Sequence, residues 1–195
     1  MLNDNEGWLN CDELKPRIYT CGVCGKEISS NRGYRYLINN GYSYDETKYI
    51  YLCHNCNSPT CFDVYNEEQI PGVLYGDDIL YLPETVEKAY NEARKCFSVN
   101  AFTSVVLCCR KLLMNISCES GAKEGLKFVQ YIDYLKTEGY IPKNAEPWVD
   151  KIRLLGNDGT HKIEDRSEED AKLSIQFIST VLKMMYEMPG RLNDI

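Results

Sequence analysis

The sequence predicts an α+β chain: a small N-terminal zinc ribbon built from short strands, then an all-α bundle of about five helices. Three observations carry this. Two CxxC pairs, Cys21/Cys24 and Cys53/Cys56, lie in the first third of the chain among β-forming runs. The texture changes at IPGVLYGDDILYL, where a stretch rich in Cys, Tyr, Asn and Gly gives way to other composition. Beyond it, apolar residues recur with the 3.6-residue period of a helix. The expected divisions are a ribbon over 1–70, a linker over 71–82 and a bundle over 83–195.

In the first part, Tyr34–Ile38 and Tyr49–Leu52 are rich in strand formers, and Asn39-Asn40-Gly41 between them is a turn signal. Each run lies near a cysteine pair, as a ribbon requires. The first helix is expected to start at Pro83, a favoured first-turn residue, with Val86, Ala89, Tyr90, Ala93 and Phe97 on one face. The second runs from about Ala101 to Ser117 on the stripe Phe102, Val105, Val106, Cys109, Leu112, Leu113 and Ile116. The third covers about Leu126 to Thr137, and a short fourth about Pro147 to Leu155, stopping at Gly156. The fifth opens with the capping box Ser167-Glu-Glu-Asp170. Its wide apolar belt of Leu173, Ile175, Phe177, Ile178, Val181, Leu182 and Met185 suits a helix central to the bundle.

Cys21, Cys24, Cys53 and Cys56 are the expected ligands of one structural zinc ion. Thiolates suit zinc, and a CxxC turn lets two sulfurs reach one ion. Gly22 and Gly25 suit such a knuckle, and the 28 residues between the pairs accommodate hairpin excursions. His54 or Cys61 could replace one of the four, and a redox dithiol is the competing reading of CxxC. Cys11 stands apart. A closed four-thiolate site leaves no position for water, so its role is structural. Cys96, Cys108, Cys109 and Cys118 fall in helical segments and read as small apolar residues.

The chain has no run long enough to span a bilayer and no basic, apolar leader at its start; a cytoplasmic location with no membrane partner is expected. The net charge of −7 divides into −6 over residues 1–82 and −1 over 83–195. Neither part is basic, which opposes non-specific nucleic-acid binding; the acidic ribbon favours a protein partner.

A second constellation is Lys151-Ile-Arg-Leu-Leu-Gly-Asn-Asp-Gly-Thr-His161. Arg153 could clamp a phosphate, His161 could move a proton near neutral pH, and Asn157 could orient either. Arg110, at the border of the apolar face of helix two, would join them if that helix packs beside this segment; otherwise it snorkels from the core edge. With a ribose 2′-hydroxyl as nucleophile, the group could perform metal-independent RNA cleavage. The bland alternative is that Gly156-Asn157 caps helix four and His161 bonds within the bundle.

Leu82-Pro83, Glu92-Ala93, Arg110 and the run Arg153-x-x-Gly156-Asn157-x-x-x-His161 occur in the order found in the domain of unknown function 4145 family, which residues 80–189 resemble. Members of that family often carry an N-terminal zinc ribbon, and it resembles a branch of the HEPN superfamily of helical bundles. The resemblance implies a HEPN-like domain directed at RNA, as an endoribonuclease in a prokaryotic defence or regulatory system, acting as a homodimer. It matches Arg153 and His161 to the superfamily's Arg–His pair, although the spacing here is longer than usual and Leu154 follows the arginine where a polar residue is common. The alternative is a non-catalytic module, the ribbon binding a protein partner and the bundle dimerising.

Overall fold

Seven short strands precede the helices: β1 (Gly7–Cys11), β2 (Arg17–Thr20), β3 (Glu27–Ser30), β4 (Gly33–Asn39), β5 (Tyr44–Leu52), β6 (Pro59–Asp63) and β7 (Gln69–Ile70). They are seen in a computed structural model that describes residues 7–11, 13–65, 68–155 and 165–194. The chain divides into two units, residues 1–74 and 75–195.

In the first unit β2 and β3 form a two-stranded hairpin, and the other strands form an antiparallel sheet in the order β1-β4-β5-β6-β7. The aromatic runs at Tyr34–Ile38 and Tyr49–Leu52 become β4 and β5. They pair from Gly33↔Tyr51 to Asn39↔Tyr44, with a register shift at Tyr36/Leu37. Their turn is closed by side chains: Asn39 Oδ1 accepts from Gly41 N, and Asn40 Oδ1 accepts from Ser43 N. This is the Asx chemistry that makes asparagine a turn residue. The core is small. Tyr19, Tyr51 and Phe62 meet edge-on or tilted, and Leu14, Ile28, Cys21 and Cys53 complete the buried apolar set.

The described residues of the second unit include the helices α1 (Glu84–Ser98), α2 (Phe102–Glu119), α3 (Phe128–Thr137), α4 (Glu146–Leu155) and α5 (Glu168–Leu182). Ser167 caps α5 as a box: its hydroxyl accepts from Asp170 N, and its own N–H donates to Asp170 Oδ2. The helix does not stop at Leu182. It continues through a π turn at Lys183–Glu187 into α6 (Met188–Asn193), with helical backbone angles at both joints. Pro189 follows directly on the π turn, at the start of α6. The apolar stripes of the helices meet in one core, in which Ile175, Ile178 and Leu182 of α5 lie fully buried with Val105 and Ile116 of α2 and Leu135 of α3. Among the described residues no helix is long and apolar enough to cross a membrane.

The segment Tyr75–Asp78 is bound into this unit by a buried arginine. Arg94 of α1 is only 7% exposed. Its Nε donates to the Tyr75 carbonyl at 3.1 Å, Nη2 to the Gly76 carbonyl at 3.0 Å and Nη1 to Asp78 Oδ1 at 2.7 Å. Tyr90 donates to the Asp77 carbonyl, and Lys183 binds the Asp77 carboxylate. Gly76 sits at φ +90°, where a Cβ would come within 2.6 Å of Ile175, so the strap needs glycine on both counts. Replacing Arg94 with Ala would leave these carbonyls unpaired next to the core. Arg94→Ala is expected to cost about 2–3 kcal/mol, read as a lower urea midpoint for the helical signal.

Candidate metal centre and arginine site

The two CxxC pairs occupy the tips of two hairpins, β2–β3 and β5–β6, and both knuckles have the same backbone. In the first, Cys21 N donates to the Lys26 carbonyl at 2.9 Å and Gly25 N to the Cys21 carbonyl at 2.9 Å. In the second, Cys53 N donates to the Ser58 carbonyl at 3.0 Å and Asn57 N to the Cys53 carbonyl at 2.8 Å. The residue after each second cysteine takes positive φ: Gly25 at 69° and Asn57 at 57°. Glycine and asparagine are the residues that tolerate that region.

The equivalent turns bring the four sulfurs together. The Sγ atoms of Cys21, Cys24, Cys53 and Cys56 all lie within 4.8 Å of one another. Cys21 and Cys56 are 3.7 Å apart, and Cys24 and Cys53 are 3.8 Å apart. The first cysteine of each pair is fully buried and the second is partly exposed. The four could hold one metal ion. His54 is exposed at the second knuckle and Cys61 lies exposed on β6; neither belongs to the cluster.

Without an ion the sulfurs differ. Burial pushes the Cys21 thiol up to about 11. The Ser58 hydroxyl and backbone N–H draw Cys56 down to about 6. The Lys26 backbone N–H lowers Cys24. Of the helical cysteines, Cys109 is buried and Cys96, Cys108 and Cys118 are half-buried.

In the second unit, Arg153 sits in the last turn of α4. Its Nη1 donates to Asp150 Oδ1 at 3.0 Å, and its Nη2 donates to Asp133 of α3. Burial opposes its charge, but the two carboxylates outweigh this and raise its pKa. Arg110 stacks over the Phe128 ring, 4.9 Å from its centroid. It lines a small cleft with Val106, Phe128, Ile152 and Leu155, so one edge of α2 and the end of α4 border the same cleft. Asn157 and His161 lie outside the described residues. Asp133 and Asp150 were not among the expected site residues. Asp150 was findable, three residues before Arg153 on one helix face; Asp133 comes from another helix and carried no signal.

A chain with a four-thiol hairpin unit and a helical unit is thereby defined. Comparison with known families places it more closely: the family described as Domain of unknown function (DUF4145) matches residues 91–195, and the chain belongs to that family. A comparison with curated proteins and one with solved structures each return no match.

Cobalt(II), used as a spectroscopic probe, is expected to fill one tetrahedral thiolate site per chain. Cys21→Ser combined with Cys53→Ser should abolish the thiolate charge-transfer band. Binding must displace protons, above all from Cys21, so apparent affinity falls as pH falls. A titration repeated at several pH values checks the sign.

Proposed function

We propose that the first unit is a zinc ribbon and the second a HEPN-like bundle, and that the protein acts on RNA in the cytoplasm of a prokaryote as a metal-independent endoribonuclease. For the zinc, the support is distance. A tetrahedron with zinc–sulfur bonds of about 2.3 Å has edges of about 3.8 Å; two of the six sulfur separations here are 3.7 and 3.8 Å, and all lie within 4.8 Å. Four thiolates also match the ion's softness, and they leave no open position for a substrate. The zinc therefore folds the ribbon, and chemistry belongs to the other unit.

The observation that supports the RNA reading is that Arg110 of α2 lines one cleft with Ile152 and Leu155, which flank Arg153 on α4, within the family-matched region. In the proposed reaction a ribose 2′-hydroxyl attacks the adjacent phosphorus and the 5′-oxygen leaves. His161 transfers a proton, Asn157 orients it, and Arg153 with Arg110 offsets charge on the phosphorane. A homodimer supplies a composite surface for the strand.

A second reading has its own observation. Arg153 is held by two carboxylates, and a phosphate must displace them. With the acidic first part of the chain, this favours a non-catalytic module that binds a basic protein partner and dimerises through the helices.

Purified protein incubated with mixed RNA in EDTA separates the two. The RNA reading expects cleavage that falls about a hundredfold or more in both His161→Ala and Arg153→Ala. It also expects Asp133→Asn with Asp150→Asn to bind RNA more tightly, since Arg153 loses its competitors. Intact wild-type protein that neither cleaves nor binds RNA would leave the interaction module.

A further inference from the structure

The two knuckles share a backbone but not their outer side chains. The inner sulfurs, Cys21 and Cys53, are protected by burial at 0% exposure. The outer sulfurs, Cys24 and Cys56, face solvent in part and need another form of protection. At the position two residues after the second cysteine, one knuckle has Lys26 and the other Ser58. Lys26 Nζ donates to Asn55 Oδ1 of the opposite knuckle at 3.2 Å. Lys26 follows Cys24 by two residues and Asn55 directly precedes Cys56, so the bridge sits beside the two outer cysteines.

This bridge joins the two hairpin tips across 29 residues of sequence. It lies beside a centre that, with a divalent ion and four thiolates, carries a double negative charge. The surrounding region is itself acidic, with a net charge of −6 over residues 1–82, which makes an extra dianion unfavourable. Of the six cations in that region, Lys26 is the one within a knuckle.

We propose that Lys26 and Asn55 form a polar clip that retains the metal, Asn55 donating to the Cys24 thiolate and Lys26 both orienting Asn55 and offsetting the charge of the centre. The proposal rests on the zinc reading given above and deepens it. The clip is a positioning device: neither side chain is a ligand. Because Lys26 acts by charge at an exposed site, its effect is screened by salt. Because Asn55 is oriented by Lys26, removing Asn55 after Lys26 adds little.

The test is the rate at which the full-length, zinc-loaded protein gives up its ion to a chromogenic chelator. Lys26→Met and Asn55→Ala are each expected to release zinc about tenfold faster than wild type. The double variant should match Lys26→Met, and Lys26→Arg should keep release slow. The Lys26→Met effect should shrink at about 1 M salt, where the screening length is about 3 Å; a merely steric role would not respond to salt. Circular dichroism of the loaded variants checks that the strands are intact, and the cobalt(II) charge-transfer band reports the Cys24 environment should a variant load zinc poorly. Release from both variants at the wild-type rate, with one zinc bound per chain, overturns the clip and leaves the zinc reading standing. Wild-type protein that binds no zinc overturns both.

Discussion

Four sulfurs within 4.8 Å of one another are the constraint on which the first unit depends. Among the described residues its buried apolar set is seven, and two of these are the cysteines Cys21 and Cys53. The cluster and the core thus share residues. Each knuckle uses one N–H and one carbonyl of its first cysteine to close the turn, and these bonds fix where the flanking strands start. A unit of this size has a small core and only a narrow stability margin. A metal held by the four sulfurs would add a cross-link, and its binding free energy would become folding free energy. The aromatic trio Tyr19, Tyr51 and Phe62 then seals the layer between the hairpin and the sheet.

The second unit rests on ordinary helix packing. The buried belt of α5 meets the stripes of α1 and α2, and the family match falls wholly within this unit. Its electrostatics are local. Arg94 spends its donors on the strap at Tyr75–Asp78, and Arg153 spends two on Asp133 and Asp150. The two arginines differ in what surrounds them. Arg94 is almost wholly enclosed and holds backbone carbonyls, whereas the partners of Arg153 are more than half exposed. Ion pairs of the second kind contribute about 0–1 kcal/mol and can be exchanged, which is why the geometry at α4 is compatible with both an RNA-directed and an interaction role.

The parts of this fold legible in the sequence are those with a strong local pattern. The stripe of α2, the capping box of α5 and the aromatic runs of β4 and β5 state their structure within a dozen residues. The cysteine spacing likewise announced the thiol cluster. The short strands β2, β3 and β6 did not show: RIYT, EISS and PTCFD are four or five residues long, mixed in polarity, and held by partners distant in sequence. The strap was invisible because Tyr75–Asp78 looks like a connecting segment until Arg94 is seen to reach it. The extension of the last helix into α6 runs against Pro189, which signals a stop. At Arg153 the sequence named the arginine but not what neutralises it, because the pairing to Asp133 crosses between helices.

Amide hydrogen exchange with and without a zinc chelator tests most directly whether the proposed metal holds the first unit and not the second. Chelation should remove protection from the strands flanking the knuckles, β2, β3, β5 and β6, while α1, α2 and α5 keep theirs. Protection that survives chelation throughout residues 13–65, or that collapses equally in the helices, would contradict it.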